Sequence, residues 1–277
     1  MLTSATLTTS GLTPSGLKPS AHFLGKAGAN SAGNLSGILT PSHEGPLDER
    51  LAGTSHLELR VNRQHGIPWA YAHRPNAKGV VCIFPVIQHE GKRSLLFLLS
   101  ARPPLNRPPT LGKLNIECPA GLAGDEHPEE SMAEAAAREL KEETGVSLSH
   151  HKLQLLADNV TASAGLTSES KSYFLADNVS LPAKHTPVGD GRVIIDRLLV
   201  PISRLEKDLS GWLQEQYKAN RVISSDTLAG LSLVLAQEKY RKAHPVKHRL
   251  TQWVRGFRQW ITQLLERVFS VFKTKSA

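Results

Sequence analysis

Between Gly124 and Val146 the chain reads Gly-Asp-Glu-His-Pro-Glu-Glu-Ser-Met-Ala-Glu-Ala-Ala-Ala-Arg-Glu-Leu-Lys-Glu-Glu-Thr-Gly-Val. Its second half concentrates carboxylates. Ser131 to Thr144 is rich in Ala, Glu, Leu and Lys, strong helix formers, so a helix is predicted there. On that helix Glu139 stands three and four residues before Glu142 and Glu143, which places three carboxylates on one face within a turn. Like charges this close repel unless a cation lies among them. An oxygen-only donor set on a half-open face suits Mg²⁺, with Mn²⁺ as a second choice, ions that retain water and bind substrate phosphates. Gly145 supplies a left-handed helix stop. The plain alternative is a Glu-rich helix showing a solvated face, and for an isolated Glu-Glu pair it would be preferred.

The surrounding residues argue against that alternative. Gly124, Glu130, Arg138, Glu139, Leu140, Glu142, Glu143, Gly145 and Val146 fill every fixed position of a pattern that resembles the Nudix box. The resemblance implies an α/β class fold, an α/β/α sandwich around a mixed sheet, and a hydrolase dependent on a divalent metal. It also implies that Glu139 and Glu143 are primary metal ligands, with Glu142 supporting a further ion or its water. Arg138 would hold the carboxylates in register through Glu130 or Glu142.

Motifs outside the box resemble the ADP-ribose and ADP-sugar pyrophosphatase branch of that family. Glu117-Cys-Pro-Ala-Gly121 is similar to its Glu-x-Pro-Ala-Gly strand end, and Ser100-Ala-Arg-Pro-Pro104 to its Gln-x-Arg-Pro-Pro segment. Trp69-Ala-Tyr-Ala-His-Arg74 is similar to its Trp-x4-Arg strand, and Ser163-Ala-Gly-Leu-Thr-Ser-Glu169 to its ribose loop. By this resemblance Trp69, Arg74, Arg102 and Gly121 bind substrate, Glu169 joins Glu139, Glu142 and Glu143 in catalysis, and a backbone carbonyl also binds metal. Trp69 could instead be a core aromatic, Arg102 a loop charge and Glu169 a solvated loop residue. The chain departs from the pattern at three places. Gly121 precedes Gly124 by three residues, so the metal-binding carbonyl is Ala120 or Ala123, with Ala120 favoured by its strand context. Ala164 replaces a Pro, and Arg192 stands near where relatives place a catalytic Glu, which leaves Glu169, Asp190 and Asp196 as candidate bases.

The elements that must position these groups are legible as alternating or apolar runs. His56–Asn62, Pro68–His73, Gly79–Ile87, Ser94–Ser100, Leu114–Cys118, Leu153–Val160, Ser172–Ala176 and Val193–Val200 read as strands, the third and fourth as a hairpin. Residues 203–218 and 225–242 read as helices. Strands around one central helix, closed by later helices, form a mixed sheet between helical layers.

Residues 1–50 are Ser, Thr, Gly, Leu and Pro with little charge, and cannot bury enough apolar surface to offset chain entropy; a disordered leader is expected. Its Ser/Thr content and lack of acids before Glu44 resemble an organellar transit peptide, a route that stays open, although the stretch before Glu44 lacks the Arg and amphipathic helix of one. The hydrolase domain is assigned to residues 51–243. The formal charge is +8, yet residues 241–277 carry nine basic side chains against Glu266, so residues 1–240 are neutral overall. That distribution points away from nucleic acid as partner of the catalytic domain. Residues 244–277 are read as a basic amphipathic helix whose apolar face includes Trp253, Phe257, Trp260, Leu264 and Phe272, fit for a membrane surface or for packing on protein. No apolar run reaches membrane-spanning length, and two cysteines without ligand spacing suit a reduced, intracellular, cytoplasmic setting.

The expected activity is Mg²⁺-dependent hydrolysis of ADP-ribose or a related nucleoside diphosphate sugar to a nucleoside monophosphate and a sugar phosphate. Another nucleotide, such as a UDP-sugar or an oxidised nucleotide, and a non-cleaving ADP-ribose-binding module are the other readings. A homodimer is expected from the resemblance alone.

Overall fold

The computed structural model describes residues 48–63, 68–105, 107, 108, 110–183 and 193–245. Their centre is a hairpin of β4 (Gly79–His89) and β5 (Lys92–Ala101), joined at Glu90 and Gly91. Every residue of β4 from Val81 to Ile87 is buried, as expected of a strand covered on both faces. Alternation then assigns the two sides. Cys82, Phe84 and Val86 pack with Leu95, Phe97, Leu99, Trp212, Leu231 and Val234. Val81, Ile83 and Ile87 pack with Leu96, Ala135, Ala136, Leu140 and Phe174. The first face lies under α2 (Ile202–Lys218) and α3 (Ser225–Ala243), and the second under α1 (Met132–Thr144). This is the expected three-layer α/β/α arrangement.

The sheet is mixed and forked. Strands β4 and β5 pair only from Val86–Leu95 to His89–Lys92. Beyond that point β5 pairs with β6 (Leu114–Glu117), while β4 pairs with β7 (Ala120–Ala123). The β6–β7 connection fills the fork, where Ile83 N–H donates to the Pro119 carbonyl at 2.8 Å. On its other edge β4 runs parallel to β9 (Ser170–Val179), which carries β8 (Gln154–Thr161). Strand β10 (Val193–Pro201) covers the other edge of β5, and β11 (Arg221–Ile223) runs parallel to β6.

A second, three-stranded antiparallel sheet consists of β1 (Asp48–Gly53), β2 (Glu58–Asn62) and β3 (Trp69–His73). It is tied to the loop before β9, because Ala72 N–H donates to Leu166 O at 2.9 Å and Ser168 N–H to Ala72 O at 3.1 Å.

Strand β1 moves the start of the fold. Residues 48–50, assigned above to the leader, lie within it, although Asp-Glu-Arg-Leu-Ala-Gly has no strand-like pattern. Pairing with β2 and the Arg60–Asp48 ion pair at 3.1 Å supply what local sequence does not. Residues 1–47 and 246–277, with the leader and tail readings they carry, lie outside the described residues.

Candidate active site

Helix α1 is fixed at both ends by its own sequence. Ser131 accepts the Glu134 N–H while the Glu134 carboxylate accepts the Ser131 N–H, a reciprocal capping box. Gly145 ends the helix at φ 75°, a conformation that costs a residue with Cβ. Ala135, Ala136 and Leu140 face the sheet, so Glu139, Glu142 and Glu143 are carried to its rim beside β7. Glu143 is only 2 % exposed, and its Oε2 accepts the Ala120 N–H at 3.1 Å.

Arg138 organises this rim. Its guanidinium donates to both oxygens of Glu130 at 3.2 and 3.0 Å, to Leu122 O at 2.9 Å, to Glu139 Oε1 at 2.8 Å and to Glu142 Oε2 at 3.3 Å. Burial would raise the Glu130 carboxyl, but Arg138 and the Gly124 N–H outweigh it and hold Glu130 below its usual range. The two glycines of the departure noted above do different work. Gly124 N–H binds Glu130 Oε1 at 3.1 Å, whereas Gly121 lies against Glu139 so closely that a Cβ there would fall 2.0 Å from the carboxylate.

In front of β7 opens a cleft of about 530 Å³, reached by Ala120, Gly121, Arg74, Arg102, Glu169 and Lys171. Each cation in it has a carboxylate partner. Arg74 Nε binds Glu169 Oε2 at 3.1 Å, and Arg102 Nε binds Glu117 Oε2 at 2.8 Å, which Asn115 also holds at 2.9 Å. Lys171 Nζ binds Asp226 Oδ2 at 2.5 Å. Asp226 stands in the first turn of α3, where the helix dipole favours an anion. That helix end is secured to the cleft floor, since Ser224 N–H donates to Ile116 O and Cys118 N–H to Thr227 Oγ1. Cys118 and Cys82 lie buried beneath, neither in a disulfide.

The structure thus places Ala120, Gly121, Arg74, Arg102 and Glu169 at one cleft, whose lining does not include Glu139, Glu142 or Glu143. Trp69 is not among the residues lining the cleft. It is not core either: 55 % exposed, it donates its indole N–H to Gly165 O at 3.0 Å, at the outer end of the loop that carries Glu169. Asp196 lies on β10 and is not among the lining residues, its Oδ1 accepting the Arg197 N–H, and Asp190 and Arg192 lie outside the described residues. Lys171 and Asp226 were missed by sequence reasoning. The signal for Lys171 was its position two residues after Glu169, at the start of β9; Asp226 had only its place in a helix first turn.

Among the described residues no group of three or more Asp, Glu, His or Cys side chains converges to hold a metal ion. The donor set nonetheless fits a hard divalent cation in kind. Its groups are all anionic oxygens, and Glu130, Glu139 and Glu142 share the one guanidinium of Arg138. Of the two candidate carbonyls, Ala123 O already accepts the Lys78 N–H at 2.8 Å.

Comparison with known proteins gives a match of residues 77–212 to the NUDIX domain family model. An uncharacterized Nudix hydrolase of Schizosaccharomyces pombe is 32 % identical over 136 residues, covering 47 % of this chain and 58 % of its own length. The match therefore spans somewhat over half of that relative. Among solved structures, an ADP compounds hydrolase aligns at 17 % identity and TM-score 0.45, covering 71 % of this chain and 92 % of its own. The NUDIX domain of Shewanella oneidensis NrtR complexed with ADP ribose aligns at 18 % identity and TM-score 0.38, covering 58 % and 86 %.

Proposed function

We propose, from the match of residues 77–212 to the NUDIX domain family model, that this chain hydrolyses the diphosphate of ADP-ribose or a related nucleoside diphosphate sugar. The products are a nucleoside monophosphate and a sugar phosphate. The observation that carries this reading is that β7 joins the two groups: Ala120, Gly121 and Leu122 line the cleft with Arg74, Arg102 and Lys171, and the same three residues touch Glu143, Glu139 and Arg138. The α1 carboxylates beside β7 offer anions for a cation, and the cleft offers cations for phosphate oxygens.

Glu139 and Glu143, with the Ala120 carbonyl, would hold Mg²⁺ or Mn²⁺, and Glu142 would support a further ion or its water. When bound, such an ion neutralises the diphosphate and lowers the pKa of a coordinated water. Arg138 keeps the carboxylates in register, and Gly121 leaves the space that Glu139 occupies. Arg102 and Arg74 orient the diphosphate, since positioning supplies much of the rate in phosphoryl chemistry. Glu169 accepts the proton of the attacking water. Trp69 stacks on the base from outside the cleft.

A second reading is a module that binds ADP-ribose without cleaving it. The pairing of Glu169 with Arg74 favours it, because that carboxylate is already engaged by a cation. A panel of ADP-ribose, UDP-sugars, oxidised nucleotides and dinucleotides with Mg²⁺, read as phosphate released after coupling to a phosphatase, separates the readings. We expect ADP-ribose to lead the panel, and turnover to vanish with EDTA and return with Mg²⁺ or Mn²⁺. Binding of ADP-ribose without turnover would establish the second reading. The homodimer also stands as a proposal, tested by light scattering on the intact chain.

A further inference from the structure

Glu169 faces a cation at each of its oxygens, and the two cations differ in how far they can move. Oε2 meets Arg74 Nε at 3.1 Å, and Oε1 lies 3.9 Å from Lys171 Nζ. The Arg74 side chain is 39 % exposed, so an incoming diphosphate can draw it away. The Lys171 side chain is 11 % exposed and anchored to Asp226 at 2.5 Å, so it stays where it is. Its ammonium stands between two carboxylates, Asp226 and Glu169. Asp226 alone would suffice for a brace between β9 and α3; the approach to Glu169 is an addition.

We infer that Lys171, tethered by Asp226, is the positioning residue that holds Glu169 in place once substrate has engaged Arg74. The inference rests on the hydrolase reading above. Substrate binding then has two coupled effects on Glu169: it removes the competing guanidinium, and it leaves the carboxylate oriented by the fixed ammonium. The backbone is ready for this. Glu169 N–H donates to Thr167 Oγ1 at 3.1 Å and Glu169 O accepts the Ala162 N–H at 3.1 Å, so only the side chain has freedom to lose.

The test is steady-state kinetics of the full chain with ADP-ribose and Mg²⁺, using Lys171→Met, Lys171→Arg, Asp226→Asn and Glu169→Gln singly, and Lys171→Met with Glu169→Gln. We expect Lys171→Met to lower kcat by about tenfold or more, with KM changed by less than about twofold. Lys171→Arg should restore most of the rate, and the double variant should be no slower than Glu169→Gln alone. Should Lys171→Met fold poorly, Asp226→Asn gives the same reading, because it retains the lysine and removes the charge that tethers it. Losses that multiply in the double variant, a raised KM at unchanged kcat, or a Glu169→Gln enzyme of wild-type rate would each overturn the inference while leaving the hydrolase intact. A wild-type chain inert towards ADP-ribose would instead overturn the hydrolase reading, and this inference with it.

Discussion

Glu143 is nearly buried yet keeps its carboxylate on the Ala120 amide, so the isosteric Glu143→Gln can retain that contact through its carbonyl oxygen. We expect an intact fold and turnover lowered about 10³-fold, roughly 4 kcal/mol of barrier, at saturating Mg²⁺. A rate within a few-fold of wild type would remove Glu143 from the metal-binding set. Gly121→Ala tests the neighbouring contact, since the added methyl occupies the space of the Glu139 carboxylate. Displacing that group should cost on the order of 10²-fold in kcat, with circular dichroism unchanged. Trp69→Ala should raise KM for ADP-ribose about tenfold, given base–aromatic stacking of roughly 1–3 kcal/mol. Its melting temperature should hold, because the ring is more than half exposed. At this scale the α1 carboxylates were legible because helical spacing is local. The pairs Arg74–Glu169 and Lys171–Asp226 were not, since each joins segments that only the fold brings together, 95 and 55 residues apart.

Helix α3 is held to the sheet at its far end by a buried ion cluster. Arg93 on β5 binds Asp177 on β9 and Glu238 on α3, both at 2.8 Å, and Glu238 also binds Arg241. Burial would raise the Glu238 carboxyl, but Arg93 and Arg241 overcome it and hold the group below its usual range. A depressed folded-state pKa makes its stabilisation complete above the unfolded value, near 4.3, and lost as pH falls through the lower folded one. We therefore expect Glu238→Gln to lose about 3 kcal/mol at neutral pH, with the gap to wild type narrowing below about pH 4. Equal destabilisation at pH 7 and pH 3 in urea titrations would exclude this account. The long elements were visible from periodicity, and α2 and α3 differ from their expected bounds by one residue. The short β7 and β11 escaped because strands of four and three residues carry no readable period. β1 escaped because tertiary partners rather than propensity make it a strand.

Across the whole chain the charge is uneven, with the net +8 lying beyond residue 240. For the tail, whose residues from 246 lie outside those described, we propose attachment to an anionic membrane surface. Full-length protein should sediment with anionic liposomes and be released by salt, each Lys or Arg contributing up to about 1 kcal/mol. Deleting residues 246–277 should abolish binding and spare catalysis; an aggregated, inactive truncation of a chain that ignores liposomes would make the tail part of the fold. One further property of the molecule follows from where its only two thiols lie. Cys118 belongs to the cleft floor with Cys82 beside it, both buried, and the neighbouring Cys82 thiol and then burial push the Cys118 thiol well above its usual range. Both side chains are buried, so alkylation must wait for a local opening of the cleft floor. The rate of iodoacetamide labelling in native buffer thus reads the opening equilibrium of the catalytic floor alone. The chain carries its own unlabelled reporter, and ADP-ribose bound above it should slow the labelling clock.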